Sequence, residues 1–383
     1  MKPIPYGRQF ISEDDIQAVI DVLRSDFLTQ GPTINEFEKK FADYVGSKYA
    51  VAVSSGTAAL HLSAMVLGVK RNTKVITTPI TFVASANCIK YCGGEVCFAD
   101  IDPVTYTIDI DKVSRLLETS PKGTFSGIIP VDFAGYPVNM EEIRNMADKH
   151  DLWILEDACH APGGFFLDGR GGKQFCGNGK YADLAIFSFH PVKHIATGEG
   201  GMITTNDEEL YNKLRLLRTH GITKDPSMLT ENPGRWHYEM QELGFNYRLN
   251  DIQAALGISQ LKRGEEGIKR RKKIAEIYNK AFKNINIITP MLQKGFDHAY
   301  HLYVIQVEDR LGLYNYLKKN EIFVQVHYIP VHYQPYYIQF GYKKGDYPVA
   351  EKYYEHCLSL PMYPTLKDKE QDYVIEKVIE FIT

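Results

Sequence analysis

Residues Tyr49 to Gly68 read YAVAVSSGTAALHLSAMVLG, and from Ala50 to Val69 there is no Asp, Glu, Lys or Arg. Such a run is long enough for a membrane helix. Ser54-Ser55-Gly56-Thr57 interrupts it, however, and His61 follows. A turn in lipid would leave backbone amides and carbonyls unpaired. The stretch therefore reads as a buried strand over Tyr49–Ser54, a small hydroxylated turn, and a helix opening at Gly56. The alternation continues outward. Apolar, β-branched runs recur at Val75–Pro79, Val96–Ile101, Gly127–Phe133, Trp153–Asp157, Leu184–Phe189 and Met202–Thr205. Helical patterns at Phe82–Cys92, Asp109–Leu117, Asn139–Lys149 and Asp207–Leu217 lie between several of them. Short buried strands separated by amphipathic helices predict α/β architecture, a mainly parallel sheet with helices on both faces.

From Asn250 the texture changes. One long helix is predicted from Asp251 to Phe282, then strands at His301–Val307 and Phe323–Tyr328. Helices are predicted near Arg310–Asn320, Val349–His356 and Lys367–Ile382. The expected division is a large domain over 1–250 and a linking helix with a smaller α+β domain over 251–383, which suits a chain of 383 residues.

Composition closes several other readings. With 44% hydrophobic and 24% charged residues the chain is globular, not disordered. Lys+Arg at 44 against Asp+Glu at 47 leaves no basic excess for nucleic acid. The six cysteines form no Cys-x-x-Cys pair, and Met1–Arg8 has no apolar core of a signal peptide. Reduced thiols and a cytoplasmic location are expected, with no membrane partner. Cys88 and Cys92 are spaced i, i+4, which can serve a metal but better suits two small buried hydrophobes; no metal is assigned.

The nucleotide fingerprints of α/β chains are missing. After Tyr49–Ser54 stands one glycine, Gly56, where a dinucleotide turn needs three. Gly169, Gly171 and Gly172 lead to Gln174 where the third glycine belongs, and no P-loop pattern occurs. Three other segments carry chemistry. Ser54–Leu60 is a hydroxylated turn opening a helix, a place for one phosphate or an ordinary helix cap. Trp153–His160 puts Asp157 at the end of a buried strand, with His160 three residues on. Ligands of open α/β sheets bind outside that end, though an acid there can also be solvated or cap the next helix. Leu184–Gly201 places Lys193 just past an apolar strand and before a Gly-rich turn, where partial desolvation makes an amine a better nucleophile. His190 and His194 flank it at i, i+4, but Pro191 lies between them and no His-Glu-x-x-His motif exists. A phosphate cup, a strand-end acid and a strand-end lysine are the parts a pyridoxal phosphate site requires, with Phe82 as the ring to stack on it.

These segments resemble the DegT/StrS sugar aminotransferases. The resemblance rests on Ser55–Leu60, Thr81–Asn87, Glu156–Ala161, Phe187–Lys193, Gly198–Gly201, Gly244–Arg248 and Asp251–Gly257, and it spans nearly the whole chain. It implies the aspartate aminotransferase fold (fold type I) and pyridoxal 5'-phosphate as cofactor. Tyr238–Arg248 and Gln325–His332 resemble most the branch acting on a UDP-linked 4-keto-6-deoxy-N-acetylhexosamine in pseudaminic acid biosynthesis.

The resemblance further implies that Lys193 joins the cofactor and shuttles the proton, and that Asp157 pairs with the ring nitrogen. It implies His160 at the 3-oxygen, Phe82 on the ring face, and Gly56, Thr57 and Ser188 at the phosphate. Asn246 would reach the phosphate of a neighbouring subunit, making a homodimer with shared sites. Substrate contacts would come from Tyr6, from Asp26, Phe27, Leu28 and Thr29, and from Gln325, Val326, His327 and Tyr328. Arg248 reads as a partner for the carboxylate of L-glutamate or as a structural ion pair.

Two departures bear on this. Relatives often read Pro-Ile-Thr-Thr after the lysine, where this chain has His194-Ile195-Ala196-Thr197 and so lacks one hydroxyl at Ala196. Some members carry His in the lysine slot and are sugar dehydratases; counted from Phe187, the slot here holds Lys193. Transaminases for other nucleotide-4-keto sugars (bacillosamine or legionaminic type) and a non-catalytic regulatory homologue are the remaining alternatives. Asp168–Gly179 reads as a mobile loop over the site or a long surface hairpin.

Overall fold

The computed structural model describes residues 2–383. Its strands, in chain order, are β1 (Tyr49–Val53), β2 (Lys74–Thr77), β3 (Glu95–Phe98), β4 (Gly127–Ile129), β5 (Trp153–Asp157), β6 (Phe165–Leu167), β7 (Lys173–Phe175), β8 (Leu184–Ser188) and β9 (Gly201–Thr205). Later come β10 (Ile222–Thr223), β11 (Glu239–Met240), β12 (Phe296–Asp297), β13 (Tyr303–Gln306) and β14 (Cys357–Leu360). The helices are α1 (Glu13–Leu23), α2 (Pro32–Val45), α3 (Gly56–Val66), α4 (Ala84–Tyr91), α5 (Ile110–Thr119), α6 (Met140–Lys149) and α7 (Glu208–Arg218). They continue as α8 (Asp251–Leu261), α9 (Gly264–Phe282), α10 (Arg310–Lys319), α11 (Pro335–Ile338), α12 (Pro348–His356) and α13 (Asp368–Ile382).

Seven strands form the central sheet in the order β1-β9-β8-β5-β4-β2-β3. Only β9 runs against its neighbours, and every other adjacent pair is parallel. Strand alternation sorts side chains to two faces. Val51 and Val53 of β1 enter a core with α3 and Leu214 of α7, while Ala50 and Ala52 enter another with Phe37 and Phe41 of α2 and Ala254 of α8. With helices covering both faces, the sheet is that of fold type I.

Another core forms around β13 and β14, which pair antiparallel, with α9, α10 and α13 packed against them. Ile4 from the N-terminal arm sits in this core and bridges Ile322. No helix is long and apolar enough to cross a membrane among the described residues.

Two expectations are corrected. The helix expected over Asp251–Phe282 is two helices. Arg263, between them, leaves helical geometry (φ −105, ψ 6), and its guanidinium reaches Asp15 of α1 at 2.6 Å and Ser12 at 2.9 Å. The strand expected over Phe323–Tyr328 is extended chain with a single bridge, Gln325 to Ser359. Beyond it the His327 carbonyl accepts from the Tyr353 hydroxyl at 2.8 Å, so a side chain takes the place of a ladder. The Gly-rich 168–179 segment is a hairpin turn and its return: β6 and β7 pair antiparallel, and β12 adds a third strand.

Candidate active site

Asp157 ends β5, buried between β4 and β8. Ser85 of α4 donates to its Oδ2 at 2.6 Å, and the Cys159 amide donates to its Oδ1 at 3.2 Å. Ser85 is itself within 2.8 Å of the Thr81 hydroxyl, so the carboxylate's orientation is set from the loop and first turn of α4.

Lys193 follows β8 by five residues, in a turn where its amide donates to the His190 carbonyl at 2.9 Å. Its one side-chain hydrogen-bond partner among the described residues is His301, Nζ to Nε2 at 3.4 Å. Burial holds the amine below its ordinary pKa. The Arg271 cation pushes the same way, and Cys159 and Asp157 oppose without prevailing.

An aromatic and imidazole wall closes one side. The Ala134 amide donates to Nδ1 of His160 at 3.2 Å, so the ring proton resides on Nε2, 3.3 Å from the Tyr328 hydroxyl. Burial, then the Lys193 charge, push His160 well below its ordinary pKa, which keeps it a neutral donor. Phe82, 56% exposed, has its ring 6.2 Å from that of Tyr328. Its open face is therefore free for a flat ligand. Tyr6 lies 5.3 Å from the ring of His327, whose Nδ1 is 2.8 Å from the Ser359 hydroxyl. Burial lowers His327 to about 3. Val326 packs into the cores on both sides, and Gln325 turns outward, its side-chain oxygen accepting from the Val326 amide.

The helix start lies beside these groups. Ser55 caps α3 by accepting from the Ala58 amide at 3.1 Å, while the amides of Gly56 and Thr57 stand in the first turn, where no intrahelical acceptor exists. Ser188 at the end of β8 and Gly201 at the start of β9 are paired beneath this turn. A Cβ on Gly201 would lie 2.5 Å from the Ser55 carbonyl oxygen, and one on Gly56 would lie 3.0 Å from Cβ of Ser188. The approach thus requires glycine at 201 and leaves bare amides and a serine hydroxyl around one anion-sized cup.

Other expected residues sit on other elements. Asp26, Phe27, Leu28 and Thr29 are exposed between α1 and α2, and the Leu28 carbonyl accepts from the Asp251 amide at 3.0 Å. Arg248 bridges Val53 and lines a cavity of about 210 Å³ with Gln30, Gly31 and Arg218. Asn246, exposed, bridges Thr219. No hydrogen bond or ring contact joins any of these to Lys193, Asp157 or His160 among the described residues. Cys88 is buried in the sheet core on α4 and Cys92 packs beside it. The three metal-type ligand atoms that do converge are on Asp132, Glu156 and Cys176 behind β5.

Sequence reasoning missed Ser85, Cys159 and His301. Ser85 stands one turn past Phe82 and Cys159 two residues past Asp157, so both were within reach. His301 comes from 108 residues beyond Lys193, and no local pattern announces it.

The donor set fits pyridoxal phosphate: a cup for one phosphate, a fixed buried carboxylate for a ring nitrogen, and an amine of lowered pKa. Fold and site together define a pyridoxal-phosphate enzyme of fold type I. Comparison with known proteins narrows this. Residues 9–379 match the model of the DegT/DnrJ/EryC1/StrS aminotransferase family. The spore coat polysaccharide biosynthesis protein SpsC of Bacillus subtilis is 42% identical, covering 99% of this chain and 97% of its own. The UDP-4-amino-4,6-dideoxy-N-acetyl-beta-L-altrosamine transaminase of Campylobacter jejuni serotype O:2 is 37% identical, with the same two coverages. Among solved structures, the putative sugar aminotransferase Spr1654 of Streptococcus pneumoniae, in its PMP form, superposes with a TM-score of 0.91 at 30% identity, covering 99% of this chain and 98% of that one. The chain belongs to the DegT/DnrJ/EryC1/StrS aminotransferase family, and it is a pyridoxal-phosphate-dependent sugar aminotransferase.

Proposed function

We propose that the enzyme moves the amino group of L-glutamate to C4 of a UDP-linked 4-keto-6-deoxy-N-acetylhexosamine, giving UDP-4-amino-4,6-dideoxy-N-acetyl-β-L-altrosamine. The observation that carries transamination is Lys193 in its slot, a desolvated amine hydrogen-bonded to a neutral imidazole. The Campylobacter relative supports the choice of sugar. SpsC, more similar in sequence and named for spore coat polysaccharide, supports a second reading, another nucleotide-4-keto sugar on the same machinery.

When bound, pyridoxal phosphate supplies an aldehyde that captures amines and a ring that accepts the electron pair released at the neighbouring carbon. The chain supplies the rest. The amides of Gly56 and Thr57 and the Ser188 hydroxyl hold the phosphate, aided by the positive end of α3. Asp157, oriented by Ser85 and the Cys159 amide, keeps the ring nitrogen protonated. His160 would donate from Nε2 to the 3-oxygen, and Phe82 would cover one ring face. Lys193, whose amine burial makes easier to deprotonate, would carry the proton released at the donor's α-carbon.

Tyr6 and Gln325–Tyr328 line the sugar's side of the site. Asp26–Thr29, Asn246 and Arg248, which make no contact with Lys193 in their own chain among the described residues, serve a homodimer with shared sites. There Asn246 reaches the partner's phosphate and Arg248 receives the glutamate carboxylate. The division at 250 and a cytoplasmic setting belong to the same reading. Incubating the enzyme with glutamate and a panel of UDP-linked 4-keto sugars, with Lys193→Ala beside it, tests the proposal. Amination of the 4-keto-6-deoxy-N-acetyl-L-hexosamine above the others supports it, and preference for a different sugar replaces it with the second reading.

A further inference from the structure

His301 stands where three buried segments converge. Its Nε2 is 3.4 Å from Nζ of Lys193, and its ring centroid is 4.4 Å from His160 and 5.8 Å from His194. It is 4% exposed, and its Nδ1 has no hydrogen-bond partner among the described residues. The backbone that carries it is fixed from two sides. Arg271 of α9, fully enclosed, donates from Nη1 to the carbonyls of Tyr300 at 3.1 Å, His301 at 3.2 Å and Met362 at 2.8 Å. On the other side the amides of Ala299 and Leu302 donate to the carbonyls of Gly135 and Ala134. Gly135 (φ +100) makes that approach possible, because a Cβ there would lie 2.8 Å from the His160 carbonyl oxygen and 3.0 Å from the His301 amide. A side chain so rigidly placed, whose one polar contact among the described residues is the reactive amine, suits a fixed seat for that amine.

We propose that His301 is a positioning residue that acts through Lys193. Its Nε2 accepts a hydrogen bond from the amine whenever that amine is not joined to the cofactor, and so holds Nζ aimed at the site. This rests on the proposed role of Lys193. An amine has an N–H to give in either protonation state, so one acceptor serves both. The groups facing His301 are Lys193, His160, His194 and Arg271; burial first, then these charges, keep the imidazole neutral, so it does not compete as a cation.

The test separates holding the cofactor from capturing it. The full-length protein, freed of cofactor by treatment with amino donor, is compared as wild type, His301→Leu and His301→Gln, the last retaining an acceptor oxygen. Affinity for pyridoxamine phosphate, which cannot join Lys193, is measured by equilibrium dialysis. Covalent incorporation of pyridoxal phosphate is followed by its visible band and by the mass of the borohydride-reduced Lys193 peptide. The expected result is equal pyridoxamine phosphate affinity in all three, incorporation about tenfold slower in His301→Leu, the factor one hydrogen bond to an amine commands, and largely recovered in His301→Gln. Unchanged rates in both variants overturn the proposal, as does an equal loss of rate and affinity in both. Should His301→Leu not fold, His301→Asn, whose amide ends one carbon short of the place Nε2 holds, takes its place beside His301→Gln. If wild-type Lys193 itself is never labelled, the reading of Lys193 fails instead.

Discussion

Oδ2 of Asp157 accepts a hydrogen bond of 2.6 Å from the hydroxyl of Ser85, so the acid at the end of β5 takes its orientation from α4, 72 residues earlier in the chain. Both groups are buried, and no water competes for the bond. Ser85→Ala leaves one carboxylate oxygen without that donor. Loss of a hydrogen bond to a charged group is worth about 1.5–3 kcal/mol, so cofactor is expected to bind about tenfold more weakly or worse. Asp157→Asn removes the charge itself and is expected to lower kcat by about 10²-fold or more. Cofactor titration and steady-state rates of the two variants check the order of severity.

Gly201 bears on the phosphate cup. Its Cβ, if present, would strike the Ser55 carbonyl and lie 2.9 Å from the Gly56 amide nitrogen. Gly201→Ala therefore pushes the first turn of α3 away from β8 and β9. Overpacking of this kind costs about 1–3 kcal/mol of stability. The variant is expected to melt lower and to hold pyridoxamine phosphate more weakly, both read by thermal melting with and without that ligand.

Behind β5, Asp132 and Glu156 lie together with Cys176 in full burial. Burial raises both acids, Asp132 up to about 7 and Glu156 well above its ordinary value. The folded state therefore keeps protons that the unfolded chain has lost between about pH 4 and pH 7. Stability contributed by this pair is complete below the unfolded value and falls as pH rises through that window, by up to about 1.4 kcal/mol per unit for each proton retained. Asp132→Asn is expected to flatten the decline, so melting curves of wild type and variant taken from pH 4 to pH 8 should converge in acid and part at neutral pH.

Asn246 and Lys193 lie in different parts of one chain, and the shared-site reading places them in one site across two. Inactive Lys193→Ala and impaired Asn246→Ala proteins, unfolded together and refolded as a mixture, are expected to regain activity that neither shows alone. Separate refolding followed by mixing at low temperature, where subunits do not exchange, serves as the control.

Much of this was legible in the chain itself. Tyr49–Gly68 declares strand, turn and helix because its charges are missing and its hydroxyls cluster at the break. Asp157 and Lys193 are readable because strand ends are marked by a change from apolar to polar residues, whereas Ser188 enters only through the resemblance. What could not be read is set by contacts remote in sequence. At Arg263 a helix that its periodicity would continue breaks, and there the side chain is held by Asp15 and Ser12, 248 and 251 residues away. Phe323–Tyr328 alternates like a strand, yet the Tyr353 hydroxyl and Ser359 take its polar groups. His301 reaches Lys193 only because Gly135 admits its backbone.

The most direct test of the central claim, that Lys193 carries the cofactor and glutamate is the donor, is a visible spectrum of the purified protein before and after glutamate, with Lys193→Ala beside it. The account predicts a yellow band in the wild type that glutamate bleaches and 2-oxoglutarate restores, with no such cycle in the variant. A wild type without the band, or a band that glutamate leaves untouched while another amino donor bleaches it, would contradict it.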